Sequence, residues 1–215
     1  PNDTTDDHAA IQKAIDDASA AGHGRVFLPA GTYLIGKTLE LKSSTILTGA
    51  GWNRTEIAAH PDWIPAEGMR AVLVQTVDDA NAATTIGFLS LMAPAEKFDL
   101  SEEEMLKPLP IEKIPARHRF TTLLWRAGRD SMILCIETAR TNIPIAQAQF
   151  PGPIIHFTGN GGGRHYSIQP RPQAAHRDCR GVLIEGTHEP LAIYGLNSEK
   201  SYAPKETELP SGKVR

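Results

Sequence analysis

Cysteine is almost missing from this chain: two residues among 215, Cys135 and Cys179. They are far apart and fit no metal-binding spacing, so a disulfide framework and a cysteine-based zinc site are both set aside. Cys135 lies inside Met132-Ile133-Leu134-Cys135-Ile136 and reads as a buried free thiol. Long apolar runs are also lacking. That five-residue stretch is among the longest, against the roughly 18 needed for a membrane-spanning helix, and no membrane partner is expected. There is no basic excess either: the formal net charge is -3 and the pI about 6.3. A nucleic-acid partner is therefore not expected. The glycine run Gly159 to Gly163 lacks the Gly-Lys-Ser/Thr ending of a phosphate loop, and no nucleophile elbow occurs. The chain begins at Pro1, without methionine, and reads as a mature form or a piece of a longer protein.

What is present begins with one amphipathic segment. Thr4, Thr5 and Asp6 are candidate N-caps, and Ile11, Ala14, Ile15 and Ala18 recur at helical spacing on one face. Gly22 and Gly24 end the pattern, which predicts a helix over 7–21. From Arg25 the periodicity changes to two. Short strands are predicted at 25–28, 33–35, 38–41 and 45–47, and later at 71–75, 85–91, 121–125, 132–136, 154–157, 182–185 and 191–194. These are short for a β-sandwich but suit a solenoid, in which each coil stacks on the next. The expected fold is all-β: a right-handed parallel β-helix in a single domain spanning 1–215, capped by the N-terminal helix. Residues 93–119 break the pattern. Glu102-Glu103-Glu104 follow Ser101 as a short helix start, and Pro108, Pro110 and Pro115 forbid regular structure, so a long excursion from the coil is expected.

The first sixty residues resemble the pectate-lyase-like superfamily of right-handed β-helices. The resemblance is carried by Thr5-Asp6-Asp7-His8-Ala9-Ala10-Ile11-Gln12-Lys13-Ala14-Ile15, by Val26-Phe27-Leu28-Pro29-Ala30-Gly31-Thr32-Tyr33 and by Thr45-Ile46-Leu47-Thr48-Gly49-Ala50-Gly51. A second stretch, Glu189 to Glu199, is similar to a coil of exo-β-1,3-glucanase-type proteins, where a Tyr-Gly turn precedes a glutamate. The resemblance implies a secreted or cell-surface protein that degrades an extracellular polysaccharide, with glycoside hydrolysis favoured over lyase chemistry. The alternative is a non-catalytic glycan-binding or attachment module. No cofactor is expected, except Ca2+ if the protein is a lyase. A β-helix also leaves an open strand edge at its end, so a second β-helix domain or a homo-oligomer is an expected partner.

Glycan hydrolysis uses two carboxyl groups flanking the scissile bond. Acids at strand ends are the natural candidates, because a strand fixes them firmly. Glu185 and Glu199 come first, then Glu137 and Asp130. Period two points Val182 and Ile184 inward, and Leu183 and Glu185 outward. The run Gly159-Asn160-Gly161-Gly162-Gly163 reads as a wide turn that presents Arg164, His165 and Tyr166. Arginine can fork onto a uronate carboxylate, tyrosine can stack on a pyranose, and histidine can move a proton near neutral pH. Trp52 and Trp63 are candidate sugar platforms, while Trp125 reads as core. His165, His176 and Asp178 fit no metal frame, and no metal site is assigned.

Overall fold

A computed structural model describes residues 2–93, 110–140, 152–170 and 179–197. The chain winds as a parallel β-helix whose coils each cross three walls. In the first coil the walls are β1 (Gly24–Leu28), β2 (Gly31–Ile35) and β3 (Leu39–Leu41). The second coil has β4 (Thr45–Gly49), β5 (Thr55–Ala59) and β6 (Ala71–Thr76). From the third coil on, the first two walls fuse into one bent strand. The pairs are β7 (Thr85–Ala93) with β8 (Phe120–Trp125), β9 (Met132–Arg140) with β10 (Gly152–Gly159), and β11 (Gly163–Pro170) with β12 (Cys179–Thr187). β13 (Leu191–Tyr194) opens a further coil on the first wall. All pairing is parallel. Walls one and two share an eight-stranded sheet, and the third wall is a five-stranded sheet ordered β12-β10-β8-β6-β3.

The bend in the fused strands has a backbone cause. Phe88, Cys135 and Ser167 hold φ of 55, 48 and 54°, and Gly195 holds 71°. The first three sit in register across β7, β9 and β11, because Gly87 pairs with Leu134 and Leu134 with Tyr166. A left-handed residue at this corner resets the side-chain alternation. Ile86 and Leu89 then both point inward, as do Ile133 and Ile136, and likewise His165 and Ile168. A left-handed conformation costs a non-glycine residue about 1–2 kcal/mol, which the continuous core on both sides of the corner offsets. The corner also corrects the reading of Cys135. It is a free, half-buried thiol on the corner column rather than a core residue.

The core is built of columns that run from rung to rung. On the first wall, Val26, Leu47, Ile86, Ile133, His165 and Ile193 stack in register. On the third, Leu41, Thr76, Trp125, Phe157 and Ile184 do the same. The helix α1 (His8–Ala20) lies over the first coil with Ile11 and Ile15 buried. Gln12 ties it to the backbone of Glu40 on both sides, donating to its carbonyl and accepting from its amide, at 3.0 and 2.9 Å. Asp6 rather than Asp7 caps it, accepting from His8 N–H at 2.9 Å and from Gly36 N–H at 3.0 Å. Gly22, at φ 75°, ends it and donates its N–H to the Ser19 carbonyl at 2.9 Å, and Gly24 then passes close by, since a Cβ there would lie 2.4 Å from Ala18 Cα.

The corners differ in length. The corner from the first wall to the second narrows to one residue. The corner from the third wall back to the first takes 42–44, 77–84, 126–131, 160–162 and 188–190. The corner from the second wall to the third takes the longest numbers of residues, 60–70, 94–119, 141–151 and 171–178. Within the expected excursion at 93–119, the described part holds two 3-10 turns, Ile111–Lys113 and Ala116–His118, with Ile114 buried. The helix start at Glu102-Glu103-Glu104 lies outside the described residues.

Candidate functional site

The third wall presents an outward row of Glu40, Gln75, Leu124, His156 and Leu183, one from each rung. Long connections border the edge where its strands begin. There Trp63 packs edge-on against Phe120 with ring centroids 5.0 Å apart, and Phe120 and Ile114 are fully buried. The other half of the wall is polar. His156 Nε2 lies 3.2 Å from Glu185 Oε1, an acid on the next rung that is largely exposed. That nitrogen is itself buried and makes no directed hydrogen bond. Arg126, on the rung before His156, bends back to place Nη2 3.4 Å from Gln75 Oε1 and 3.3 Å from the Thr76 carbonyl. A guanidinium, an imidazole and a carboxylate thus share one open wall.

A second polar feature lies around the corner. A cleft of about 300 Å³ opens between turn 126–131 and the starts of β11 and β13, lined by Arg129, Asp130, Arg164 and Leu191 among others. Arg129 Nε is tied to Glu189 Oε2 at 3.2 Å. Arg164 is exposed and has no ion-pair or hydrogen-bond partner among the described residues. Two positions along the same strand, Tyr166 stacks on Tyr194 of the next rung, with centroids 5.1 Å apart and planes 14° from parallel. The glycine run beside the cleft is dictated by stacking of turns. A Cβ on Gly161 would lie 2.4 Å from the Trp125 carbonyl, and one on Gly163, at φ 107°, would lie 2.1 Å from the Ser131 carbonyl.

The expected site residues therefore scatter. Glu185 is on the third wall. Asp130 lines the cleft. Glu137 is on the outward row of the second wall, beside Ser90 and Gln169, and is 2% exposed. Glu199, like His176 and Asp178, lies outside the described residues. Arg164 and Tyr166 do stand on the outer surface, as expected. His165 does not, and the expectation of a wall histidine is corrected: it is fully buried in the first-wall column. Its Nδ1 accepts from Ile133 N–H at 3.1 Å, and Nε2 donates to the Gly162 carbonyl at 3.0 Å. Burial holds its pKa down to about 4, against a smaller upward pull from the Gly162 carbonyl, so the ring is neutral. Trp125 Nε1 donates to the same carbonyl at 3.0 Å. Trp63 is corrected as well, since it packs on the core and is not a free platform. Trp52 stays 44% exposed, on the turn between the first two walls. Trp125 is core, as read. The sequence reading missed His156; the signal was the alternation in Ile154-Ile155-His156-Phe157, which sends the imidazole opposite to Ile155 and Phe157.

Comparison with known proteins bears on the same fold. A family model described as rhamnogalacturonase A/epimerase, pectate lyase-like, matches residues 1–104. Over 66 residues the chain is 44% identical to mannuronan C5-epimerase AlgE3 of Azotobacter vinelandii, covering 27% of this chain and 4% of that protein. It is 41% identical over 66 residues to alginate lyase 7 of the same organism, covering 27% and 8%. The structure of a family GH82 iota-carrageenase from A. fortis is 15% identical and gives a TM-score of 0.52 over 96% of this chain and 41% of that one. The chain thus spans less than half of each of these proteins. Among the described residues no helix is long and apolar enough to cross a membrane. Parallel rungs on three walls, a capping helix and these likenesses make the fold a pectate-lyase-like right-handed parallel β-helix.

Proposed function

We propose that this protein modifies an acidic extracellular polysaccharide on its third wall, by moving the proton at C5 of a uronate unit. The observation that carries the reading is the contact between His156 and Glu185 on an open wall that also holds Arg126. The C5 proton lies next to the carboxyl group, and its acidity rises when that group's charge is neutralised. In this reading Arg126 turns from Gln75 and the Thr76 carbonyl to supply a guanidinium for the carboxylate. His156 takes the proton, and Glu185 stabilises the imidazolium that forms. From the resulting carbanion, loss of the C4 glycosidic oxygen, which takes a proton from water and leaves as the new chain-end hydroxyl, gives a lyase product; delivery of a proton from water to the opposite face gives an epimer, and His156 returns its proton to solvent in either case. The short matches to an epimerase and to an alginate lyase support this class.

Hydrolysis, the chemistry favoured from the sequence, needs a second carboxyl group about 5–10 Å from the first. On the third-wall strands the other acid is Glu40, four strands from β12 and about 19 Å away at about 4.8 Å per rung, while Asp78 of the turn after β6 is engaged by Asn160 N–H and side-chain amide at the end of β10. A His–Glu pair serves proton transfer better than it serves a two-carboxylate displacement. No step of this reading is routed through a metal. An extracellular polymer as substrate places the protein outside the cell or on its surface.

The test is incubation with polymannuronate, polygalacturonate and a neutral β-glucan. Three readouts are followed: ultraviolet absorbance of an unsaturated product, reducing ends, and the NMR signature of inversion at C5. New absorbance or inversion on a polyuronate, abolished in His156→Ala, is the expected outcome. Reducing ends without either signal would replace proton transfer by hydrolysis.

A further inference from the structure

We propose that the cleft between turn 126–131 and the starts of β11 and β13 is a second carbohydrate site, specific for an anionic sugar unit. It goes beyond the proposed reaction and needs no chemistry at His156. Three observations converge on it. Arg164 projects from the outward side of β11 between Met132 and Ala192 on the flanking rungs, neither of which can pair with its charge. A guanidinium without a partner beside a concave surface is a ready acceptor for a carboxylate or a sulfate ester, which it grips through two parallel N–H bonds. The cleft, at about 300 Å³, lies at the small end of ligand-pocket volumes, as fits a single pyranose.

Its other side chains divide the remaining work. Arg129 is fixed by Glu189, so these two cancel and leave Arg164 and Asp130 as the cleft's remaining charges, one of each sign. A carboxylate such as Asp130 accepts hydrogen bonds from sugar hydroxyls, and repels a ligand whose anionic group points its way. The cleft therefore sets the orientation of the sugar as well as its charge. Leu191 and Ala192 offer an apolar floor for the ring's C–H face. Tyr166 and Tyr194 extend the surface along the first wall, both exposed. Their stack already fixes both rings, so a bound sugar pays little side-chain entropy to use them. The glycines that shape the adjoining turns are fixed by carbonyls of the coil before, so the cleft is built into the rungs rather than into a loop.

Binding of the whole chain to oligosaccharides of equal length is the test, in three arms: an oligouronate, a sulfated galactan and a neutral β-glucan, followed by calorimetry. At least one anionic ligand should bind about tenfold or more tightly than the neutral one, and the arm that does so tells carboxylate from sulfate. Arg164→Ala should remove that advantage. Arg164→Lys, which keeps the charge and loses the fork, should fall between, and Tyr194→Ala should weaken every arm by about threefold. His156→Ala should leave affinity within about twofold, so loss of turnover with binding intact would bear only on the proposed reaction. The inference is overturned if no arm binds, if the neutral glucan binds equally, or if Arg164→Ala binds as well as the parent.

Discussion

His156 and His165 stand nine positions apart in the chain, and the fold treats them as opposites. His156 is on the outer face of the third wall, against an exposed carboxylate. His165 is inside, in a column otherwise made of Val26, Leu47, Ile86, Ile133 and Ile193. Inside, both ring nitrogens are used by backbone groups, at 3.1 and 3.0 Å, and Trp125 and Phe157 flank the ring with centroids 5.3 and 5.0 Å away. Outside, one nitrogen meets a group that carries charge. The same side chain is a polar bracket in one place and an acid–base candidate in the other. What differs is the parity of the rung position.

Substitution of each histidine in turn sharpens that contrast. His156→Ala should lower turnover on the responding polyuronate by about 10²–10⁴, up to about 5 kcal/mol of transition-state stabilisation, with an unchanged thermal midpoint. A fall in midpoint with turnover kept would invert the comparison. His165→Ala should do the reverse. It leaves the Ile133 N–H unpaired in a cavity, so denaturant titration should show a loss of about 3–4 kcal/mol while substrate affinity holds in the protein that stays folded.

Acid should reach His165 next. Its folded pKa, about 4, lies below the ordinary histidine value of 6.5. Above 6.5 the ring is neutral in both states and contributes no pH dependence. Between 6.5 and 4 the unfolded chain binds a proton that the folded chain refuses, so stability falls as pH falls, by roughly 3 kcal/mol in all, and levels off below the folded value. His165→Gln should flatten that part of the stability curve, and an unchanged slope would mean that another group carries it. The smallest effect is expected for Glu185→Gln. It keeps the shape and removes the charge, so turnover on the responding polyuronate should drop about tenfold, or 1.4 kcal/mol.

Much of the fold was legible in the sequence. Ile11, Ala14, Ile15 and Ala18 announced the capping helix, and the structure places α1 at His8–Ala20 over the first coil. Short strands with inward Leu39 and Leu41, or Ile155 and Phe157, follow from period two on a wall. The alternation also placed Leu183 and Glu185 correctly on the outside. It failed at the corner of the bent strands, where Phe88, Cys135 and Ser167 reset the parity by one residue. A left-handed non-glycine residue leaves no composition signal, so Cys135 was read as core; His165 lies before that corner, where period two alone sets it opposite to the exposed Arg164 and Tyr166. The scatter of Asp130, Glu137 and Glu185 over different parts of the surface was equally hidden, because rung and wall are set by connection lengths and not by local pattern.

By itself, then, the sequence determined the kinds of element: an amphipathic lid, short alternating strands, and glycines wherever one turn must lie against the carbonyls of the turn before. Those are local demands, set by side-chain spacing and by steric contact between neighbours in the chain. Only the tertiary structure decided which polar groups meet. Stacking brings together residues nearly thirty positions apart, as with His156 and Glu185, and the register of each rung on the next decides which side of a wall a titratable ring takes.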